Sequence, residues 1–108
     1  MPLAKLVTEQ DIYFSEPFKV IVRSCKEVLL EGSTVLPITD RSFLYAHRNN
    51  FYAWLRGIGF DERLIWVTAF INDIKDPTGD ISYLKEIRTV TIDAVDSIIL
   101  PLKTKYAN

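Results

Sequence analysis

The chain has 108 residues, with 13 basic and 14 acidic side chains, so its net charge at neutral pH is −1. This length suits one domain, residues 1–108, and an apolar fraction of 48% is enough for a core, which excludes a disordered chain. The balanced charge disfavours a protein that coats DNA, because such proteins are normally strongly basic.

The sequence also narrows where the protein works. Cys25 is the only cysteine, so no intramolecular disulfide can form, whereas small secreted domains usually have several. The longest dense apolar run, residues 64–71, is far shorter than the roughly 18 residues of a membrane-spanning helix. The first residues lack the apolar segment of a signal peptide. We therefore expect a virion or cytoplasmic protein, neither secreted nor transmembrane.

The N-terminal third predicts one amphipathic helix. Residues 1–14 have no clear core pattern and are interpreted as a possible N-terminal arm or an edge strand. Ser15 is a good N-cap, Pro17 is tolerated in the first turn, and Gly32 ends the helix. Apolar residues at steps of three and four form one stripe between these limits: Phe18, Ile21, Val22, Cys25, Val28 and Leu29.

A short extended segment, residues 35–38, precedes the stretch DRSFLYAHRNNFYAWLRG. Asp40 can cap a helix that ends at Gly57, and at about 100° per residue this helix has two faces. One face is apolar and includes His47. The other face alternates arginine with tyrosine, and we take it as the candidate interface. Its members are Arg41, Tyr45, Arg48, Tyr52 and Arg56.

Three interpretations of this arginine–tyrosine face remain open. It can be a solvated flank in which arginines stack on tyrosines through cation–π contacts. It can be a protein–protein interface, since both residue types are enriched at interface hot spots. It can also bind nucleic acid, with arginines on phosphates and tyrosines on bases, although the balanced charge weakens that interpretation.

The run LIWVTAFI, residues 64–71, predicts another helix. Periodicity does not separate it from a buried strand, but the cap Asp61 and apolar residues at helical steps favour the helix. Asn72 can satisfy backbone groups at its end. The tetrapeptide DPTG, residues 76–79, then predicts a turn.

The C-terminal third contains more extended patterns. Residues 80–87 are interpreted as one helical turn. Residues 89–92 alternate and are rich in β-branched side chains, which is typical of a strand. Residues 97–100 predict a second strand that ends at a proline. Residues 103–108 are expected to be a mobile tail.

Residues that could perform chemistry are scarce. His47 lies on an apolar helix face without an evident partner, and Cys25 lies on an apolar stripe, so neither is a strong catalytic candidate. The stretch NDIKDPTGD resembles a calcium loop, but placing Gly79 at the invariant glycine puts Ile74 at the first ligand position. We therefore expect no catalytic residue, no metal and no cofactor, and we predict that the protein is not an enzyme.

The stretch WVTAFINDIKDP, residues 66–77, resembles the tryptophan, apolar run, Asn, Ile, Asp-Pro pattern of LysM-like domains in small baseplate proteins of contractile-tailed phages. The resemblance implies a β-α-α-β unit within residues 34–101, with residues 35–38 as its first strand. Asp40 and Asp61 would open its helices, and residues 89–92 or 97–100 would close it. The first helix is longer than that of a LysM domain, and the glycine before the last strand is missing.

These patterns predict an α+β domain with about three helices and a short sheet. The expected function is a structural or assembly subunit, in a tailed-phage tail or baseplate, that acts through protein–protein interfaces with other subunits, among which copies of itself are an option. No membrane partner is expected. The alternative is a soluble binding module for peptidoglycan or nucleic acid, and a small enzyme comes third.

Overall fold

Polar side chains begin several of the helices. In the computed structural model, which describes the backbone of residues 12–106 and the side chains of residues 12–104, Ser15 accepts a hydrogen bond from the amide of Phe18 at 3.3 Å. Asp40, Asn50, Asp61 and Thr91 cap later segments in the same way.

In chain order, the elements are α1 (Glu16–Ser24), α2 (Lys26–Glu31), β1 (Thr34–Pro37), α3 (Arg41–Ala46), α4 (Phe51–Gly57), a 3₁₀ turn (Glu62–Leu64), α5 (Ile65–Ile71), β2 (Glu86–Thr89), α6 (Ile92–Ile98) and α7 (Leu100–Tyr106).

Strands β1 and β2 form a two-stranded antiparallel sheet that joins the two halves of the chain. Val35 pairs with Arg88, and the amide of Ile38 donates to the carbonyl of Lys85 at 2.9 Å. Because bonded and non-bonded pairs alternate along such a ladder, the backbone groups of Val35 and Pro37 point away from β2. Proline has no N–H, so Pro37 on this edge costs the ladder no hydrogen bond.

The carboxamide of Asn72 ties the end of α5 to the outer edge of β2. Its Nδ2 donates to the carbonyl of Thr68 at 2.7 Å and to the carbonyl of Arg88 at 2.8 Å. Its Oδ1 accepts the amide N–H of Arg88 at 2.9 Å. Asn72 thus exchanges with Arg88 the pair of bonds that a further strand would make, which closes this edge of the sheet at Arg88. The predicted role of Asn72 at the helix end is confirmed.

Helix α5 lies between two apolar clusters. Val67 and Ile71 pack into the first cluster, with α1, α6 and α7, whereas Ile65 and Ala69 pack into the second, with α3, α4 and β2. A helix that is apolar on nearly all sides is expected to be buried, and five of the seven residues of α5 are. The prediction that LIWVTAFI is helical is therefore confirmed, as are the extended segment before Asp40 and the turn at residues 76–79.

The α+β class is confirmed, since about 55% of the chain is helical and the sheet has two strands. The expected number of helices is wrong, because the described residues contain seven α-helices rather than about three. One reason is a break at Cys25, which divides the predicted N-terminal helix. Just before it, the hydroxyl of Ser24 donates to the carbonyl of Val20 at 3.0 Å, a contact that bends helices. Val28 lies beyond the break and is 60% exposed, so the apolar stripe does not continue as predicted.

The single helix predicted from Asp40 to Gly57 is also wrong. The chain leaves the helical conformation after α3, and Asn50 has φ −150° and ψ 83°. Its side chain accepts the amide N–H of Ala53 at 3.0 Å and so begins α4. Asparagine satisfies backbone donors better at a cap than inside a helix, and this preference outweighs the continuous apolar pattern.

The strands predicted at residues 89–92 and 97–100 are wrong for the most part. Strand β2 covers residues 86–89 and so includes the last two residues of the helical turn predicted at residues 80–87, a segment that contains no helix; α6 begins at Ile92. Thr91 caps α6 by accepting the amide N–H of Ala94 at 3.1 Å. Val95 and Ile99 are fully buried one helical turn apart, so tertiary burial overrides the β-branched composition.

The terminal predictions remain predictions. The possible arm, residues 1–14, lies mostly outside the described residues, although Ile12 and Tyr13 belong to the first apolar cluster. The mobility of residues 103–108 is untested. Within that tail, the backbone is helical to residue 106, and the Lys103 ammonium lies 3.7 Å from the Asp96 carboxylate.

Replacing Asn72 should measure the strength of the connection between α5 and β2. Asn72→Ala leaves the half-buried backbone groups of Arg88 unpaired, so we expect a loss of about 1–3 kcal/mol in the free energy of unfolding. Urea denaturation followed by circular dichroism gives this value. Asn49→Ala is the matched control, because Asn49 is exposed and makes one long bond of 3.4 Å. Equal losses in the two variants would contradict the role of Asn72.

Candidate functional site

The break between α3 and α4 divides the arginine–tyrosine face. Arg41, Tyr45 and Arg48 stay together along α3 and the turn after it. Tyr52 and Arg56 lie on α4, which has a different axis because the chain turns at Asn50. The sequence places all five residues within one arc of a helix, but the structure groups only the first three. We call these three residues the Arg–Tyr surface.

Arg41 is held in place by the loop before β2. Its guanidinium donates to the carbonyl of Ser82 at 2.9 Å and also to the carbonyl of Leu84. A planar guanidinium presents its donors as a fork, which suits two neighbouring acceptors. Carbonyl oxygens carry no net charge, so Arg41 is oriented while its side chain stays exposed, and no carboxylate of the described residues lies within ion-pair distance of it.

Arg48 and Tyr45 contact each other one turn away from Arg41. The Arg48 guanidinium lies 4.3 Å from the centroid of the Tyr45 ring and donates to the carbonyl of Tyr45 at 3.1 Å. Tyr45 nevertheless remains 59% exposed. The cation–π contact expected for a solvated flank is therefore present, and it leaves one face of an aromatic ring available.

An open groove of about 380 Å³ lies beside these side chains. It is lined by Arg41, Ser42, Leu44, Tyr45 and Ser82. Its walls thus combine one fixed arginine, two serines, a leucine and a tyrosine. This arrangement suits recognition of an acceptor-rich group.

The loop that holds Arg41 is stabilised by two aspartates. The Asp76 carboxylate accepts the amide of Thr78 at 2.9 Å and its hydroxyl at 2.6 Å. The Asp80 carboxylate accepts the amide of Ser82 at 2.8 Å. These hydrogen bonds from Thr78 and from Ser82 lower the pKa of Asp76 and of Asp80 respectively, since they favour the ionised carboxylates, and the charge of Arg48 adds to the effect on Asp80.

The same loop binds the backbone of the turn between α3 and α4. The amide of Ile81 donates to the carbonyl of Arg48 at 2.7 Å, and the amide of Phe51 donates to the carbonyl of Pro77 at 2.9 Å. The sequence predicted the turn at residues 76–79 but not these contacts, because the partners lie about thirty to forty positions away, where no spacing rule applies. Tyr83, between the two carbonyls that hold Arg41, is 66% exposed and extends the aromatic character of the area.

The other two members of the predicted face have structural partners. Tyr52 is half-buried and packs against the second apolar cluster, with its ring centroid 6.3 Å from that of Phe51. Arg56 is exposed, and its Nε lies 3.3 Å from the Glu62 carboxylate. The ion pair neutralises Arg56, and packing occupies much of Tyr52, so neither joins the Arg–Tyr surface.

His47 and Cys25 lie apart from that groove. His47 is half-buried at the end of α3, with Nδ1 3.0 Å from the carbonyl of Phe43 and the two rings 4.4 Å apart. Cys25 is half-buried at the break between α1 and α2. Within the residues that the structure describes, no group of three His, Cys, Asp or Glu side chains could hold a metal ion.

A second aromatic surface, on α1, α2 and α5, was not predicted. The rings of Trp66 and Phe70 are stacked with centroids 5.4 Å apart. Lys19 and Arg23 each lie 5.6 Å from the Trp66 ring, and Lys26 lies 5.0 Å from the Phe70 ring. The three cations are four and three residues apart in the sequence, and this helical spacing was the signal from which the surface could have been predicted. These cations shield half-buried rings from water, which is a stabilising role.

Comparison with protein-family models, curated proteins and solved structures gives no match. Among residues 12–106, no helix combines the length and the apolar character that crossing a bilayer requires.

Arg41→Lys should loosen the loop without unfolding the domain. An ammonium is a point donor and does not bridge two carbonyls as a fork does, so the backbone of residues 82–84 loses one anchor. We expect faster hydrogen exchange at the amide of Leu84, which donates to the carbonyl of Ile81 at 3.0 Å. Arg56→Lys is the control at an exposed site and should leave this amide unchanged. Unaltered exchange in Arg41→Lys would contradict the anchoring role.

Lowering the pH should destabilise the loop, and the lowered pKa values of Asp76 and Asp80 give the direction of this effect. A carboxyl whose pKa is lowered on folding stabilises the folded state above its unfolded pKa of about 3.9, and that contribution is lost as pH falls through the folded pKa. The midpoint temperature of thermal unfolding should therefore fall as the pH is lowered below about 4. Asp76→Asn keeps an acceptor oxygen but does not titrate, so the fall should be shallower. Glu27→Gln, at an exposed helical position, is the control and should reproduce the wild-type slope.

Proposed function

We propose that this chain is a non-enzymatic assembly subunit that contacts a neighbouring protein through the Arg–Tyr surface. The observation that carries the proposal is that both arginines of this surface are held in place by other groups of the chain. Arg41 is fixed by two backbone carbonyls and Arg48 by the Tyr45 ring, and neither lies within ion-pair distance of a carboxylate of the described residues, although the charge of Arg48 also acts on Asp80. Charges that are oriented in advance lose little side-chain entropy on binding.

The chemistry of the partner follows from this charge. Guanidinium groups pair best with carboxylates, often through two parallel hydrogen bonds. The Arg–Tyr surface therefore fits an acidic segment of another protein, with Tyr45 as the aromatic contact at its centre. Tyrosine and arginine are also the residue types that contribute most at interface hot spots.

We further propose that the assembly is the tail or baseplate of a tailed-phage virion. The support is the resemblance of residues 66–77 to LysM-like baseplate proteins. The element order of residues 34–89 is compatible with it, since β1 and β2 enclose helices and pair in an antiparallel sheet. The departures are the divided first helix, a closing strand at residues 86–89 instead of 89–92 or 97–100, and the extra helices α1, α2, α6 and α7.

Removing the Arg–Tyr surface should abolish assembly and spare folding. The triple variant Arg41→Ala, Tyr45→Ala, Arg48→Ala removes the interface side chains, and we expect its incorporation into particles to fall roughly tenfold or more. Mass spectrometry of purified particles measures incorporation when the variant replaces the wild-type chain. Circular dichroism checks that the triple variant is folded.

Arg56→Ala is the matched control, because it also removes one positive charge but lies in an ion pair with Glu62. We expect it to incorporate as the wild type does. Wild-type incorporation of the triple variant would refute the interface, and absence of the wild-type chain from particles would refute the assembly role. Capture of labelled oligonucleotide that weakens steeply with salt would instead favour the nucleic-acid interpretation.

A further inference from the structure

Strand β1 has an open edge, in contrast to β2. The outer edge of β2 is closed at Arg88 by the Asn72 carboxamide, with bonds of 2.8 and 2.9 Å. On β1, the register directs the N–H and C=O of Val35 outward, and no described residue bonds to them. All four residues of β1 are exposed. Open edges of this kind pair readily with another strand.

The open edge is also uncharged and bordered by apolar surface. Residues 33–39 contain no charged side chain, so β1 lacks the lysine that often protects an edge strand, and its only such protection is Pro37 and its length of four residues. Leu36 and Ile58 are 48% and 50% exposed. They line a groove of about 180 Å³ that continues along β1 to Trp54 and Ile87. Covering such a patch removes apolar area from water.

We propose that this edge pairs with the same edge of a second copy of the chain, antiparallel about a two-fold axis at Val35. In this register the Val35 N–H of each copy donates to the Val35 carbonyl of the other, and β1 and β2 become half of a four-stranded sheet. A two-fold interface presents one patch to itself, so it must match itself in both hydrogen bonds and charge. The β1 edge meets both conditions.

The count of backbone donors selects this register. Two-fold pairing at Val35 places Pro37 of one copy opposite Ser33 of the other. Pro37 has no N–H, and the N–H of Ser33 already donates to the carbonyl of Leu30 at 3.2 Å. Neither Pro37 nor Ser33 therefore has a free N–H to place between the copies. The outward N–H of Val35 is the remaining donor on each edge, and it bonds to the Val35 carbonyl of the other copy.

Residues 33–39 bring no charge to the pair; the charged groups that border the edge are the Arg88 guanidinium, which donates to the Ser33 hydroxyl at 2.9 Å, and Asp40, which lines the groove. A partner edge of lysines or glutamates would gain nothing from residues 33–39, whereas a neutral copy meets no like-charge repulsion. In this register Leu36 lies opposite Thr34 of the second copy and diagonally across the axis from the Leu36 of that copy, on the same face of the sheet. With a four-residue strand the interface is small, so we expect a dissociation constant roughly in the micromolar to millimolar range.

Sedimentation equilibrium of the full chain over a wide concentration range tests the proposal. We expect the wild type to approach the mass of a dimer, and Val35→Lys to raise the dissociation constant roughly tenfold or more, because it places two ammonium groups across the axis. Val28→Lys is the matched control, since Val28 is also exposed but lies on α2, and it should dimerise as the wild type does. Circular dichroism checks the fold of both variants.

A cross-link tests the register. In a Cys25→Ala background, Val35→Cys should form a disulfide-linked dimer under mild oxidation, since directly opposite residues of a hydrogen-bonded pair have Cα atoms about 5.5 Å apart. Val28→Cys in the same background should not. A monomeric wild type at about 1 mM, or a dimer unaffected by Val35→Lys, would overturn the proposal. Loss of the dimer leaves the Arg–Tyr surface intact, so the two proposals fail separately.

Discussion

The fold depends on the side chain of Asn72. Its carboxamide occupies three backbone groups at once, at the end of α5 and at Arg88 of β2, so it takes the position that a third strand would hold. A two-stranded sheet is marginal by itself and needs packing on a helix. Asn72 provides the polar part of that contact, because an unpaired half-buried N–H or C=O at this junction would cost free energy. The apolar part comes from α5, which both core clusters share.

The loop between α5 and β2 inherits its position from this constraint. Asn72 fixes where the loop begins and, through Arg88, the strand into which it leads. Between these points the chain crosses the corner of α3 and α4, where Ile81 bonds to the Arg48 carbonyl and the carbonyls of Ser82 and Leu84 hold Arg41. The local turns at Asp76 and Asp80 shape the loop but do not decide where it lies. The Arg–Tyr surface therefore depends on tertiary contacts between α3 and a loop distant in sequence, and it is not simply the face of one helix.

The two proposed contact surfaces differ in their physics. The Arg–Tyr surface carries charge in a fixed geometry, so it favours an acidic partner and should respond to salt. The open edge of β1 is neutral and presents one backbone donor with apolar side chains, so it favours a neutral strand. Both surfaces depend on Asn72. Its carboxamide closes the β2 edge and leaves β1 as the exposed edge, and the loop that follows Asn72 orients Arg41. A subunit with these two surfaces can join a copy of itself and a different neighbour.

The sequence by itself determined the features that depend on nearby residues. Helix caps at Ser15, Asp40 and Asp61 and the DPTG turn were predictable because a side chain bonds to backbone two or three positions away, and the helix at residues 65–71 was predictable because its apolar residues recur at helical steps. Only the tertiary structure decided where the long helix divides, whether residues 92–98 are helix or strand, and which arginines meet. Those outcomes depend on burial against distant elements, as for Val95 and Ile99, and on bonds between residues about forty positions apart, as for Arg41. No local pattern encodes such contacts, because their energy appears only once the chain has folded around α5.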